Sequence, residues 1–308
     1  MALALVYVYS DRNPSDFYVF DITRKGATHL ASRRDWVDPE YMGTMRAVAI
    51  PARDGRILHG FLTVPAGSDG KDLPLVINPH GGPFGPADLW HFQTEPQLLA
   101  SRGYAVLQVN FRGSGNYGRD HLRSGYRQWG LKMQDDLADA TRWAAAQGIA
   151  EADRVCIYGA SYGGYAALMG AARDPSIYRC AIGYVGVYGV PLKFNDGDIR
   201  DSKSGTNFLQ ESLGGDREKL AQTSPTRLAA NIKVPVFLAA GGADKRAPLK
   251  ALRNDARRAG RGRQHARVAG LQGRGPRLLP GRAQRRVLHE AARVPGSAHR
   301  PRGRALTG

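Results

Sequence analysis

The sequence contains only two cysteines, Cys156 and Cys180, and no apolar run long enough to cross a bilayer. Both cysteines lie in or beside apolar runs, so we expect buried, reduced thiols that pack as small hydrophobic side chains. The first residues, MALALVYVYSDRN, lack the basic start and the small-residue cleavage site of an export signal. These absences favour a cytoplasmic protein without a membrane partner.

Aromatic residues are missing from Lys250 to Gly308, a segment dominated by Arg, Ala and Gly. The segment holds 16 Lys and Arg against two acidic residues, which is +14 of the formal net charge of +17. It offers too little apolar surface to order itself, so residues 250–308 are expected to form a disordered tail without a strand. A basic tail can attach to a polyanion, but no aromatic side chains are interleaved for base stacking, which argues against a nucleic-acid partner.

Two strand-like runs, LVYVYS and DFYVFDI, flank the turn-rich segment DRNPSD near the amino terminus. The pattern predicts one β-hairpin within residues 1–45. An isolated hairpin is marginally stable, so this region is expected to belong to a larger β structure.

Strands and helices alternate from residue 46 to residue 249. Apolar runs bounded by Gly, Pro or Asn are typical of strands covered on both faces, and here they read LPLVINP, AVLQVNF, RVCIYGA, AIGYVGV and VPVFLAAG. Helical stretches lie between them; in Asp136–Gln147 the apolar residues fall on one face, and Gly148 follows as a stop. The alternation predicts a doubly wound, mostly parallel α/β sheet.

The segment YGASYGGY contains the G-x-S-x-G pattern of a nucleophile elbow. An apolar run precedes it and a helix-like run, YAALMGAA, follows it, so Ser161 is expected on a sharp strand-to-helix turn. Small residues at Gly159, Gly163 and Gly164 suit a turn at which the helix crosses close to the strand. The pattern makes Ser161 the candidate nucleophile of a serine hydrolase.

A serine nucleophile needs an imidazole to take its proton and a carboxylate to orient that imidazole. In hydrolases with this elbow the acid follows the serine in the chain. Asp244 comes just after the run VPVFLAAG, at the carboxyl end of a predicted strand, and is the candidate acid. Its rivals lie in a polar loop set back from a strand by several residues: Asp196, Asp198 and Asp201.

Oxyanion donors are predicted from the segment HGGPF, which follows the run LPLVINP. In hydrolases with the elbow, an N–H of this loop and the N–H of the residue after the nucleophile hold the oxyanion. These two groups belong to Gly82 and Tyr162. We expect His80 to shape the loop rather than to act as the base.

Five segments in this order, HGGPFG, NFRGSGNYG, WGLKMQDDL, GASYGGYAALM and GGADKRAP, resemble the prolyl oligopeptidase family of serine peptidases. The likeness is greatest to its acylaminoacyl-peptidase and dipeptidyl-peptidase-like bacterial branch, and it runs from about Asp11 to Pro248. The resemblance implies an α/β-hydrolase fold and cleavage of short peptides without a cofactor. It also implies that residues 1–45 are the remnant of an N-terminal β-propeller and that residues 46–249 form the catalytic domain, which is incomplete.

The family's catalytic histidine lies in a Gly-His-Gly-Phe-like segment after the acid, and no such segment occurs in this chain. Three histidines follow Asp244, and none lies in an apolar segment that would hold it in place as a base: His265, His289 and His299. A frameshift in the gene explains residues 250–308 better. A displacement by one base lets Ala251–Asn254 read His-Ser-Glu-Met and lets Arg274–Leu279 read Glu-Gly-His-Gly-Phe-Tyr.

The sequence thus predicts a serine peptidase for short peptides, without a metal, that is impaired because its catalytic histidine is missing. One alternative is a carboxylesterase-type serine hydrolase, because the same triad serves both reactions. Another is an inactive pseudoenzyme with a polyanion-binding basic tail. Three residues in nearby loops fit either packing or a role in the substrate pocket: Arg112, Tyr117 and Trp129.

Overall fold

The protein is described by a computed structural model that covers residues 2–195, 198–241 and 266–271. The strands are β1 Leu3–Val8, β2 Asp16–Asp21, β3 Gly26–Ser32, β4 Thr44–Pro51, β5 Ile57–Val64, β6 Leu73–Ile77, β7 Ala105–Asn110, β8 Ala150–Ala160, β9 Cys180–Tyr184, β10 Val236–Gly241 and β11 Ala266–Leu271. The α-helices are α1 Thr94–Ala100, α2 Gly118–Ser124, α3 Lys132–Ala146, α4 Tyr162–Arg173, α5 Lys203–Leu213 and α6 Arg217–Gln222.

The main sheet has eight strands in the order β11-β10-β9-β8-β6-β7-β5-β4. Neighbours from β11 to β7 are parallel, whereas β5 pairs antiparallel with β7 and with β4. The mostly parallel α/β sheet predicted from the sequence is confirmed. Because β6 lies between β7 and β8, the chain reverses its progress across the sheet at β6. Ligand sites in such sheets form at this reversal, outside the carboxyl ends of the strands.

Apolar side chains on both faces place the inner strands inside the molecule. Every residue of β7 is buried, and so is every residue of β9. Helix α4 packs on β8 and β9 and is buried along its whole length except at its last residue, Arg173. An element packed this deeply cannot shift without opening the core, and this fixes the turn that precedes it.

A small antiparallel sheet in the order β1-β2-β3 precedes the main sheet. The sequence predicts its first two strands but not β3. The segment GATHLAS, which forms β3, contains Gly and Ala and lacks the alternation of apolar and polar residues by which strands are recognised.

A buried cluster of hydrogen bonds joins this small sheet to the main domain. The Gln97 side chain donates to the carbonyl oxygens of Asp11, at 2.9 Å, and Gly43, at 2.8 Å, and accepts from the Gly43 N–H. The Asp11 carboxylate accepts from the N–H of Met45 at 2.7 Å. Gln97 belongs to α1 and is 3% exposed, so these bonds are shielded from water.

The expectation of reduced thiols is wrong, because a disulfide joins Cys156 and Cys180. The two residues are direct partners in the parallel pairing of β8 with β9, and their Cα atoms are 4.7 Å apart. This separation lies within the range that a disulfide spans. The sequence places each cysteine in an apolar run but does not reveal that the two runs are neighbours in register.

The tail also differs from expectation at one place. Residues Ala266–Leu271 form β11, which is parallel to β10 with Val236 opposite Ala266. The sequence predicts no strand there. Parallel pairing with β10 supplies hydrogen bonds that do not depend on side-chain type, so a strand can form without an apolar pattern of its own.

Candidate active site

Ser161 lies between the end of β8 and the start of α4, as the sequence predicts. Its backbone angles are φ 56° and ψ −117°, in a region that a residue with a side chain rarely adopts. The Ser161 N–H donates to the Tyr184 carbonyl at 2.9 Å, and its carbonyl accepts from the Tyr165 N–H at 3.1 Å. The flanking strand β9 and helix α4 therefore hold this strained conformation from both sides.

Two glycines allow α4 to lie close to β8 and to the segment after β9. A Cβ atom on Gly159 would lie 2.6 Å from the carbonyl carbon of Gly163, and one on Gly164 would lie 3.0 Å from the Cα of Gly186. Because both obstacles are backbone atoms, they cannot move aside as the end of a side chain can. The structure thus explains the small residues of the elbow.

The loop after β6 lies against the nucleophile turn. A Cβ atom built on Gly81 would be 3.5 Å from the Cβ of Ser161, which is ordinary contact distance. Gly82 has φ +117°, a value that favours glycine. Tyr162 is the first residue of α4, and the first N–H groups of a helix have no acceptor within it. The structure thus brings Ser161, Tyr162 and the predicted oxyanion loop together.

His80 anchors the start of that loop. Its Nδ1 lies 2.7 Å from the carbonyl oxygen of Gly81, and its Nε2 lies 2.8 Å from Oγ of Ser114. Its ring stacks on Phe111 with 4.5 Å between the ring centres. Burial lowers the pKa of His80 to about 4, against a smaller opposing effect of the Gly81 carbonyl. The carbonyl oxygen of Gly81 can only accept, so Nδ1 donates to it, and the Ser114 hydroxyl donates to the carbonyl oxygen of Phe111 at 2.7 Å.

Asp88 anchors the far end of the loop to β7, and sequence reasoning missed it. Its backbone N–H donates to Oδ1 of Asn110 at 2.8 Å, and its carbonyl accepts from Nδ2 of Asn110 at 3.0 Å. The Asp88 carboxylate accepts from Gln108 at 2.8 Å. Burial raises the pKa of Asp88 to about 7, while the bond from Gln108 lowers it and nearby Glu95 raises it. The available signal was a polar pair, Gln108 and Asn110, inside an otherwise apolar strand.

The three loop residues left open by the sequence all have partners within the protein. Arg112 is buried and binds the Asp136 carboxylate through Nε and Nη2, at 2.9 and 2.6 Å. The Tyr117 hydroxyl accepts from Asn110 at 2.9 Å. Trp129 packs its ring against Tyr162, with 4.7 Å between the ring centres.

The candidate acid Asp244 and rival Asp196 lie outside the described residues, as do the tail histidines His265, His289 and His299. Strand β10 ends at Gly241, shortly before Asp244, and β10 is separated from β8 only by β9. Rival Asp201 is exposed in a short 3-10 turn after β9.

Within the described residues, no group of three or more His, Cys, Asp or Glu side chains is placed to hold a metal ion. No helix of the described part is both long and apolar enough to cross a membrane.

The model of the prolyl oligopeptidase family matches residues 90–256, which include the elbow, the Arg112 loop and the predicted acid. The chain belongs to this family. Prolyl oligopeptidase family members are serine-type peptidases, so the resemblance seen in the sequence is confirmed.

Similar curated proteins are peptidases of this family. The chain is 36% identical over 248 residues to dipeptidyl aminopeptidase BIII of Pseudoxanthomonas mexicana, covering 76% of this chain and 35% of that protein. It is 28% identical over 285 residues to dipeptidyl peptidase family member 6 of Caenorhabditis elegans, covering 80% of this chain and 37% of that protein. The chain thus spans little more than a third of the length of these relatives.

Similar solved structures have the α/β-hydrolase fold of the family. A puromycin hydrolase superposes with a TM-score of 0.81 at 24% identity, over 94% of this chain and 44% of that chain. The acylaminoacyl peptidase of Pyrococcus horikoshii superposes with a TM-score of 0.75 at 21% identity, over 96% of this chain and 46% of that chain. These likenesses confirm the fold class.

Proposed function

We propose that this chain carries the catalytic domain of a serine peptidase that cleaves short peptides through an acyl-enzyme. Ser161 is the nucleophile, Asp244 is the acid that orients the histidine, and the N–H groups of Gly82 and Tyr162 bind the oxyanion. Residues 1–45 correspond to the last part of a β-propeller, residues 46–249 to the catalytic domain, and residues 250–308 to an out-of-frame tail.

The observation that carries the proposal is the backbone of Ser161. A non-glycine residue at φ 56° and ψ −117° between a buried strand and a buried helix is costly, by about 1–3 kcal/mol. The conformation gives no packing benefit to a serine, but it lifts the hydroxyl above the carboxyl edge of the sheet. The loop that carries Gly82 lies beside this turn, since a Cβ atom built on Gly81 would be 3.5 Å from the Cβ of Ser161.

The reaction follows from these positions. The Ser161 oxygen attacks the peptide carbonyl carbon while its proton passes to an imidazole. The carbonyl oxygen becomes an oxyanion held by the N–H groups of Gly82 and Tyr162. The C–N bond then breaks, the amine leaves with the proton, and water hydrolyses the acyl-serine by the same steps in reverse.

The imidazole is the missing part, because no histidine after Asp244 lies in a sequence segment that would position it beside Ser161. Loss of the base of a serine triad lowers turnover by about a millionfold, on the order of 8 kcal/mol. We therefore propose that this chain is nearly inactive and that the reading frame shifts close to Ala251.

Resequencing the gene across the codons for Ala247 to Leu279 tests the frame. We expect another frame to encode His-Ser-Glu-Met followed by Gly-His-Gly-Phe. If no frame encodes them, the frameshift is wrong, and the chain is a pseudoenzyme or uses another base.

Activity is tested with the frame-corrected protein on matched substrates, an aminoacyl-arylamide and the corresponding ester, with Ser161→Ala as the control. Hydrolysis of both by the parent and of neither by Ser161→Ala is expected. Hydrolysis of the ester alone would exclude a peptidase and favour a carboxylesterase. Equal rates in the parent and Ser161→Ala would exclude Ser161 as the nucleophile.

A further inference from the structure

A buried ion pair joins the Arg112 loop, residues 111–115, to helix α3. Arg112 is 3% exposed, and Asp136 on α3 is completely buried. The Asp136 carboxylate accepts three bonds from Arg112: from Nε at 2.9 Å, from Nη2 at 2.6 Å and from the backbone N–H at 2.8 Å. The pair therefore holds the backbone of the loop as well as the side chain of Arg112.

Two further charged groups lie beside this pair. Nη1 of Arg112 donates to the Asp54 carboxylate at 2.9 Å, and Nζ of Lys132 lies 3.9 Å from the same carboxylate. Both residues are exposed, in contrast to Asp136. Replacing a buried ion pair by apolar residues is often neutral for stability, so burial alone does not make the pair a stabilising one. Its contacts with the rest of the site indicate a different role.

The Arg112 loop lies against the oxyanion loop, residues 80–86. The N–H of Gly115 donates to the Pro86 carbonyl at 3.0 Å, and the N–H of Gly85 donates to the Gly113 carbonyl at 3.4 Å. A Cβ atom on Gly115 would collide with the carbonyl oxygen of Gly85. Because the two backbones touch, a shift of one loop moves the other.

His80 adds side-chain contacts between the same two loops. Its Nε2 lies 2.8 Å from Oγ of Ser114, and its ring stacks on Phe111. The Arg112 loop contains two glycines, of which Gly113 has φ +103°, and such a loop does not hold one conformation by its own preferences. The bonds to Asp136 supply that constraint.

Helix α3 connects this anchor to the nucleophile. It packs against β8 and α4, the two elements that flank Ser161. Since Asp136 lies on α3, the ion pair ties the Arg112 loop to the elements that carry the nucleophile turn. The Arg112 loop in turn contacts the oxyanion loop, which contains Gly82. The pair thus links the two parts of the proposed site.

We propose that Arg112 and Asp136 are positioning residues that fix the N–H of Gly82 at its working distance from Ser161. Both side chains are buried, so they act through the backbones of the two loops and not on the substrate. The proposal rests on the proposed function, because it states how the oxyanion donor is held. A donor displaced by about 1 Å stabilises the oxyanion less, which lowers kcat more than it affects substrate binding.

The chain offers a matched control on the same helix. Arg53 binds Asp139 by the same pattern, through its backbone N–H at 2.9 Å, Nε at 3.0 Å and Nη2 at 2.7 Å. This pair is more exposed, and it holds the turn between β4 and β5 instead of the Arg112 loop. Arg53→Lys therefore makes the same chemical change as Arg112→Lys at the β4–β5 turn.

The first test uses the chain as it stands and follows hydrogen exchange by mass spectrometry. Arg112→Lys should speed exchange of residues 80–86 by about tenfold and leave exchange of β8 unchanged, as expected for local opening. Arg53→Lys should leave both segments as in the parent. Unchanged exchange of residues 80–86 in Arg112→Lys, or equal acceleration in the two variants, would overturn the proposal.

A double variant separates positioning from folding. Arg112→Met/Asp136→Leu removes both buried charges and leaves neither unpaired, so it should unfold at nearly the temperature of the parent. Exchange of residues 80–86 should still be faster than in the parent. Parent-like exchange in this folded double variant would show that the pair does not position the loop.

The second test is kinetic and uses the frame-corrected protein with the aminoacyl-arylamide. Arg112→Lys should lower kcat by about 10- to 100-fold with KM within about twofold of the parent, and Arg53→Lys should keep both constants. A peptide aldehyde, whose adduct with Ser161 carries an oxyanion, should bind more weakly by the same factor. A raised KM with unchanged kcat would contradict a positioning role.

The two proposals fail in different ways. Equal hydrolysis by the frame-corrected parent and Ser161→Ala refutes the proposed function, and with it the oxyanion role of Gly82. An active parent whose Arg112→Lys variant keeps its kcat refutes the positioning role alone.

Discussion

At the scale of single residues, the structure gives His80 a structural task. Nδ1 donates to the carbonyl oxygen of Gly81, in the loop beside the Ser161 turn, and Nε2 lies 2.8 Å from Oγ of Ser114. Protonation would place a charge on a partly buried ring that stacks on Phe111. His80 is therefore a positioning residue for the oxyanion loop.

This arrangement predicts how stability depends on pH. The pKa of His80 is about 4 in the folded protein and 6.5 as the reference value, so between these values the unfolded chain binds more protons. The His80 contribution is present above pH 6.5 and is lost as the pH falls towards 4, by about 3 kcal/mol. Urea unfolding at pH 7 and pH 4.5 should show a steeper loss for the parent than for His80→Gln. Equal losses in the two proteins would contradict the assignment.

The sequence reveals single residues where chemistry leaves a short pattern. The elbow predicts the turn at Ser161, and the glycines around it are explained by backbone contacts. Asp88 leaves only an indirect sign, the polar pair Gln108 and Asn110 in β7, because these partners lie 20 and 22 residues further along the chain.

At the scale of elements, the disulfide ties β8 to β9, the two strands that hold the nucleophile turn. Cys156 and Cys180 close a loop with a sequence separation of 24. That loop contains Ser161 and all of α4, so the crosslink restricts the unfolded chain around the elbow.

Removing the crosslink should lower the free energy of unfolding by about 3 kcal/mol, from the lost restriction of the unfolded chain. The measurement is urea unfolding of the parent with and without reductant, beside Cys156→Ala/Cys180→Ala. Reductant should destabilise the parent and leave the double variant unchanged. A parent whose stability does not respond to reductant would contradict this prediction.

The strands that the sequence predicts well are those whose own residues determine them. Strands β6 and β10 are continuous apolar runs, β7 is apolar except for Gln108 and Asn110, and the sequence locates all three within a few residues. Strands β3 and β11 depend on the neighbour that pairs with them, and the sequence gives no sign of that neighbour. The pairing of Cys156 with Cys180 was missed for the same reason.

At the scale of the whole molecule, Gln97 couples the small sheet to the main domain. Its amide nitrogen donates to two buried carbonyl groups, and its amide oxygen accepts from the N–H of Gly43. A carboxylate of the same shape cannot donate either bond and would face two carbonyl oxygens.

Gln97→Glu should therefore destabilise the protein by about 2–3 kcal/mol at pH 7, as expected when buried partners lose their donor. Gln210→Glu, an exposed change of the same kind on α5, should stay within about 0.5 kcal/mol of the parent. Thermal unfolding of the three proteins measures both effects. Equal stability of Gln97→Glu and Gln210→Glu would show that the cluster does not hold the two parts together.

The order of the strands sets apart two rims of the molecule. The loop of His80 and the turn of Ser161 leave the carboxyl ends of β6 and β8, whereas the exposed connection at Ala66 and Gly67 enters β6 at its amino end. A Cβ atom on Gly67 would meet nothing within 4 Å. A dye or a surface linker attached at Ala66 would hold the protein with the rim that carries Ser161 facing the solution.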